Sequence, residues 1–238
     1  MTPTKFLMLA SLATALTGCQ TYQEDQSRRS KIAQFLISNP VAAKAIGAED
    51  AKSANISSNA VRLARRTGLD DKANGDGRGT QVNAVRNTLW QAAIASQFDS
   101  DIAERIGNAY LSDMEMREGK TDYYSRLAAD QAVDQRNNRI GRSIGSGKPD
   151  ADMKALAQKV LFYYHSVGLW TATQAIDNGN KVWRISQQKL SESDYKKALA
   201  NLAPLNADGM TQKEQTRYKS DAFQDIRRSV KALSKVED

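Results

Sequence analysis

Apolar residues recur at helical spacing along most of this chain. Val82, Val85, Leu89, Ala92, Ala93 and Phe98 form one stripe, with Trp90 beside it and Thr80 placed to cap the start. Asp99 opens a second segment with Ile102, Ile106, Ala109 and Tyr110 on one face, and residues 122–133 repeat the theme through Tyr123, Leu127, Ala128 and Ala132. Met153, Leu156, Ala157, Val160, Leu161 and Tyr164 make a strong stripe later on. Nearer the N-terminus, Ile32, Phe35 and Leu36 predict a short helix ending near Asn39, before Pro40. Ile56, Ala60, Leu63 and Ala64 predict another, closed by Gly68. An apolar run over 169–176 is broken by 177-DNGN-180, and segments 182–190, 191–202 and 211–236 complete the count. Few segments alternate over a strand's length. The pattern therefore predicts an all-α fold, one globular multi-helix domain over residues 31–238.

The first residues follow another logic. MTPTK carries one positive charge, FLMLASLATALT is apolar, and LTGC ends at Cys19. Small residues before a lone cysteine form a lipobox, so this segment resembles the precursor of a bacterial lipoprotein. The apolar run is too short for a lasting membrane span and suits an export signal. The resemblance implies a signal peptide over 1–18 and a lipidated N-terminus and tether over 19–30, anchored to the bilayer through acylated Cys19. Gln20, rather than an aspartate, implies outer-membrane sorting in a Gram-negative host, with the domain facing the periplasm. Cys19 is the only cysteine, so no intrachain disulfide and no multi-cysteine metal site can form.

Composition changes this picture little. The chain has 238 residues, 40% of them hydrophobic, which is enough for a real core. A formal charge of +7 favours acidic polymers or an anionic membrane face only weakly. Arg62, Arg65 and Arg66 make one basic face, and Arg227, Arg228, Lys231 and Lys235 another. No nucleic-acid reader module accompanies them, so no nucleic acid partner is expected. The run 141-GRSIGSGK-148 lacks the glycine spacing and the hydroxyl residue of a P-loop. The run 70-DDKANGDGRG-79 puts a lysine and an amide where a calcium loop needs oxygen ligands and a bidentate carboxylate. His165, the sole histidine, sits among Phe162, Tyr163, Tyr164 and Trp170 and reads as a packed or boundary residue.

The chemistry concentrates in 83-NAVRNTLWQAAI-94 and 134-DQRNNRIGRSIG-145. Together with 107-GNAYLSD-113, these segments resemble the bacterial helical domain family DUF6973, over roughly Ala73 to Gly145. The family pattern reads "DAFRHALWNAL", then "AHE", then "DLHNNAVGRxIG". Arg86, Trp90, Asp134, Asn137, Asn138, Gly141, Arg142, Ile144 and Gly145 match it. Histidines of the pattern fall on Asn87, Tyr110 and Arg136, and its glutamate on Leu111. Three histidines and a carboxylate would suit zinc or iron. The resemblance thus implies that this member holds no metal there, and no cofactor is expected.

Two readings of the remaining residues stay open. Asp134 can accept a charge-assisted contact from Arg86 or Arg142, Asn137 and Asn138 can satisfy backbone at a helix end, and Gly141 and Gly145 permit close approach. That network would serve stability alone, in an envelope lipoprotein with a non-catalytic structural or protein-interaction role and an envelope protein or glycan as partner. Alternatively Arg86, Asn87, Trp90, Asp134 and Asn138 line a pocket, with Tyr110, Arg136 and Arg142 close by, and the protein is an envelope hydrolase or a small-ligand binder. Asp122, Asp130 and Asp134 are the carboxylates that could pair for acid–base work, but spacing alone assigns no catalytic residue.

Overall fold

A computed structural model gives the fold over residues 27–111 and 118–216. Cys19 with its export signal lies outside the described residues, as do Arg227, Arg228, Lys231 and Lys235. The centre is a pair of helices, α4 (Gln81–Gln97) and α6 (Arg126–Ser146). Around them pack α1 (Arg28–Ser38), α2 (Pro40–Ile46), α3 (Ile56–Arg66), α5 (Ser100–Ala109) and α7 (Met153–Ser166). α8 (Glu192–Leu202) and the short α9 (Gln212–Gln215) follow. Side-chain caps open the long helices: Thr80 accepts from Asn83 N–H, Ser125 from Ala128 N–H and Asp152 from Ala155 N–H.

α4 is buried on nearly every side. Val85, Leu89 and Ala92 are fully enclosed, and so are the polar Thr88 and Gln91. Both polar side chains are satisfied: Thr88 Oγ1 donates back to Ala84 O, and Gln91 Nε2 donates to Ala103 O at 2.9 Å. α6 lies against α4 through Gly141 and Gly145, which face the Thr88 and Ala92 carbonyls and so place the two helices in the same direction. This 21-residue helix runs straight through Asn137 and Asn138, where a helix end was expected.

The all-α expectation is overturned by a three-stranded antiparallel sheet, order β1-β3-β2, built from β1 (Asp122–Tyr123), β2 (Leu169–Asp177) and β3 (Asn180–Gln188). The physical reason lies in the break 177-DNGN-180. Asn178 and Gly179 both take positive φ, 47° and 78°, and Asp177 pairs with Asn180 across them. This is a two-residue primed turn, whose twist matches that of the flanking strands. Thr171, Thr173, Val182, Trp183 and Ile185 supply the β-branched and aromatic residues. One face of the sheet closes a small second core of Tyr123, Ala172 and Ile185 over Ala129, Ala132 and Val133 of α6.

Asn137 fastens this sheet to α6. Fully buried, it donates Nδ2–H to Trp170 O at 2.9 Å and accepts Trp170 N–H on Oδ1 at 3.0 Å. It satisfies backbone on another element, not at its own helix end. Asn137→Ala would leave both Trp170 groups without that partner and should cost about 2 kcal/mol, measured by urea denaturation.

Candidate functional site

A cleft of two chambers opens between α4, α6 and the N-terminal helices. The apolar chamber, about 440 Å³, is lined by Ile32, Phe35 and Leu36 of α1, Ile46 of α2, Ala60 and Val61 of α3, and Trp90 and Ile106. The polar chamber, about 620 Å³, is lined by Asp71, Asp76, Arg78, Asn83, Asp130 and Gln131 among others. Both volumes fall within the ~300–1,000 Å³ usual for small-molecule sites. Val61, Arg86, Tyr110, Leu111 and Asp134 line both chambers.

Asp134 sits on that shared wall within a defined relay. Arg86 donates from Nη2 to Asn83 Oδ1, and from Nε to Asn87 Oδ1 at 3.3 Å. A guanidinium only donates, so it turns both amide oxygens toward itself and both NH₂ groups away. Those groups then donate to Asp134 Oδ1, from Asn83 at 3.2 Å and from Asn87. Both land on one oxygen, which leaves Oδ2 without a protein donor among the described residues. Helical spacing makes this possible, since Asn83, Arg86 and Asn87 at i, i+3 and i+4 share a face of α4. The expected direct contact of Asp134 with Arg86 or Arg142 is not formed. Arg86 acts through the two amides, and Arg142 turns to Gln91 Oε1 at 3.3 Å and Glu104 at 3.5 Å.

Electrostatics mark the same carboxyl. Burial first, and then the charge of Asp130 one turn earlier, push Asp134 up to about 7, against the opposing pull of Arg86, Asn83 and Asn87. Burial also raises Asp130, while Arg78, Arg86 and Arg126 hold it down. Two interacting carboxyls displaced upward in a cleft are a recognised sign of a working site. Asp122, the third carboxylate of the sequence reading, lies elsewhere and pairs with Arg184 at 2.7 and 3.0 Å.

Of the residues singled out in the sequence, the cleft brings together Arg86, Asn87, Trp90, Tyr110, Asp134 and Asn138. Trp90 donates its indole N–H to Ser57 Oγ at 3.0 Å and meets the Tyr110 ring edge-on at 5.7 Å. Arg136, Asn137 and Arg142 stand apart. Arg136 binds the carbonyls of Ala132, Glu118 and Lys120 and stacks over Trp170 at 4.9 Å, on the sheet side of α6. His165 is distant too, bonded to Leu190 O, 3.1 Å from Glu192 and stacked on Tyr195. The basic face of α3 serves the chain itself, since Arg62 binds the Ser53 and Asp208 carbonyls and Arg66 binds Gly209 O and Glu214. Asn83 and Gln131 were missed as site residues, although Asn83–Asn87 and Asp130–Asp134 are both i, i+4 pairs.

The family described as a domain of unknown function (DUF6973) matches residues 41–167, more than half of the chain. The chain belongs to this family. No curated protein and no solved structure matches it. The DUF6973 region carries the whole relay, from Asn83 to Asp134, and ends with α7. The hairpin β2–β3 and helix α1, which supplies Ile32, Phe35 and Leu36 to the apolar chamber, lie beyond it. At the positions where the resemblance places histidine, Asn87 and Tyr110 line the cleft and Arg136 does not. Among the described residues, no group of three or more His, Cys, Asp or Glu side chains is arranged to hold a metal. No helix among them is long and apolar enough to cross a membrane.

Proposed function

We propose that this DUF6973 protein is an exported lipoprotein of the cell envelope that binds a small amphiphilic ligand in its cleft. The lipobox ending at Cys19 supports the anchor, with the domain facing the periplasm from the outer membrane of a Gram-negative host. The binding role rests on one observation: an apolar chamber whose wall carries the Arg86–Asn83/Asn87–Asp134 relay. A purely structural network would bring these polar groups into packed contact, whereas here they border open space on two sides. Hydrocarbon would occupy the apolar chamber, and polar atoms of the ligand would meet Asp134 at the wall. The hydrolase reading keeps one observation in its favour, two carboxyls, Asp130 and Asp134, one helical turn apart at the cleft and both raised by burial.

Trp90 is a built-in reporter for this reading, because Trp170 and Trp183 lie on the sheet side. A brominated long-chain alcohol should quench tryptophan emission saturably in the wild type, and Trp90→Phe should remove the saturable part. Val61→Phe, which adds bulk at the shared wall, should weaken binding about ten-fold. A wild type that shows no saturable quenching would sink the proposal.

A further inference from the structure

Among the α6 residues that line the polar chamber, two buried atoms lack hydrogen-bond partners, the acceptor Asp130 Oδ1 and the donor Gln131 Nε2. Buried polar groups are nearly always paired, and leaving one unpaired costs ~1–3 kcal/mol. Both residues line the chamber, and the final torsions of Asp and Gln side chains are broad enough for either group to turn toward a ligand. The partner they call for must donate to one and accept from its neighbour.

That demand separates the ligand chemistries. An ammonium donates but cannot accept from Gln131. A phosphate or carboxylate accepts but is repelled by an ionised Asp130. A hydroxyl does both, and adjacent hydroxyls can serve Asp130 and Gln131 together. Several arginines near the chamber already have partners, Arg78 with Asp76 at 3.9 Å among them. Arg126 pairs with Asp76, Arg65 with Glu49 at 3.8 Å, and Arg86 is committed to Asn83 and Asn87.

We infer that the polar chamber binds the neutral, hydroxyl-rich head of the ligand, a saccharide, while its hydrocarbon part fills the apolar chamber. The ligand class is thus a sugar-headed amphiphile. This rests on the amphiphile reading above and adds the head group to it. Asp134, on the wall between the chambers, marks the junction of head and tail.

Calorimetry on the purified full chain tests this with three probes of equal chain length: octyl maltoside, octanol and octyl phosphate, each below its micelle concentration. The maltoside should bind about ten-fold tighter than the other two. Asp130→Ala and Gln131→Ala should each erase that preference and leave octanol binding within about two-fold of the wild type. Equal binding of all three by the wild type, or a preference for octyl phosphate, overturns the saccharide inference and leaves the amphiphile reading standing. Failure of all three to bind removes both.

Discussion

Gly145→Val should lower the melting temperature by about 10 °C or prevent folding, whereas Gly147→Val, two residues on, should be nearly neutral. A Cβ at Gly145 would lie 2.1 Å from Ala92 O, and one at Gly141 would lie 2.3 Å from Thr88 O. Both obstacles are backbone atoms of α4, so no side-chain rotation relieves them. α4 cannot retreat either, because Leu89 and Ala92 are already fully enclosed. Forcing the helices apart disturbs a close-packed interior and should cost about 3–4 kcal/mol, which for a chain of this size corresponds to about 10 °C. At Gly147 an added Cβ meets only the Ile144 and Ser143 carbonyls, at 3.7 Å, an ordinary contact. Thermal melts followed by circular dichroism check the pair. Equal melting temperatures for the two variants would show that close approach at Gly145 is not what joins α4 to α6.

The same helix shows how much of the site was legible in the sequence. Asp130, Asp134, Asn138, Gly141 and Gly145 follow one another at steps of four or three and form a single row along α6. Its first part borders the cleft and its last part touches α4. Ala129, Ala132, Val133, Arg136 and Asn137 form the neighbouring row, turned to the sheet. The motif 134-DQRNNRIGRSIG-145 reads as one patch of chemistry only if these rows are not separated. Periodicity places residues on a common face, and it thereby separates Asp134 and Asn138 from Arg136 and Asn137. It does not say what each face meets, because the sheet that receives Asn137 comes 33 residues later in the chain. Asn83 escaped for the converse reason: its partner Asp134 is 51 residues away. The sheet itself was legible. Asn178-Gly179 between β-branched and aromatic runs is a strong short-range hairpin signal, and the apolar content of 169–176 masked it.

Asp134→Asn should stabilise the protein at pH 8 by on the order of 3 kcal/mol and flatten its stability between pH 4 and 7. The sign follows from the displacement of Asp134, up to about 7 in the folded chain from 3.8. Between those values the native state holds a proton that the unfolded state has released. Stability therefore falls as pH rises through this window and levels off above about 7. Asparagine keeps an oxygen for the Asn83 and Asn87 amides and never ionises, so burial and the Asp130 charge no longer count against it. Glu214 works in the opposite sense. Hydrogen bonds from Arg66 and Thr211 lower it to about 2, so its contribution is present above about 4.5 and lost as pH falls through 2. The two windows overlap only between about 3.8 and 4.5, and urea denaturation at pH 5 and pH 8, above that overlap, separates Asp134 from Glu214. Asp130, raised in the same direction, should leave a shallower slope in the variant. An Asp134→Asn protein with the wild-type slope would place the titration on another group. It would also remove the electrostatic ground for assigning Asp134 a working role at the cleft wall.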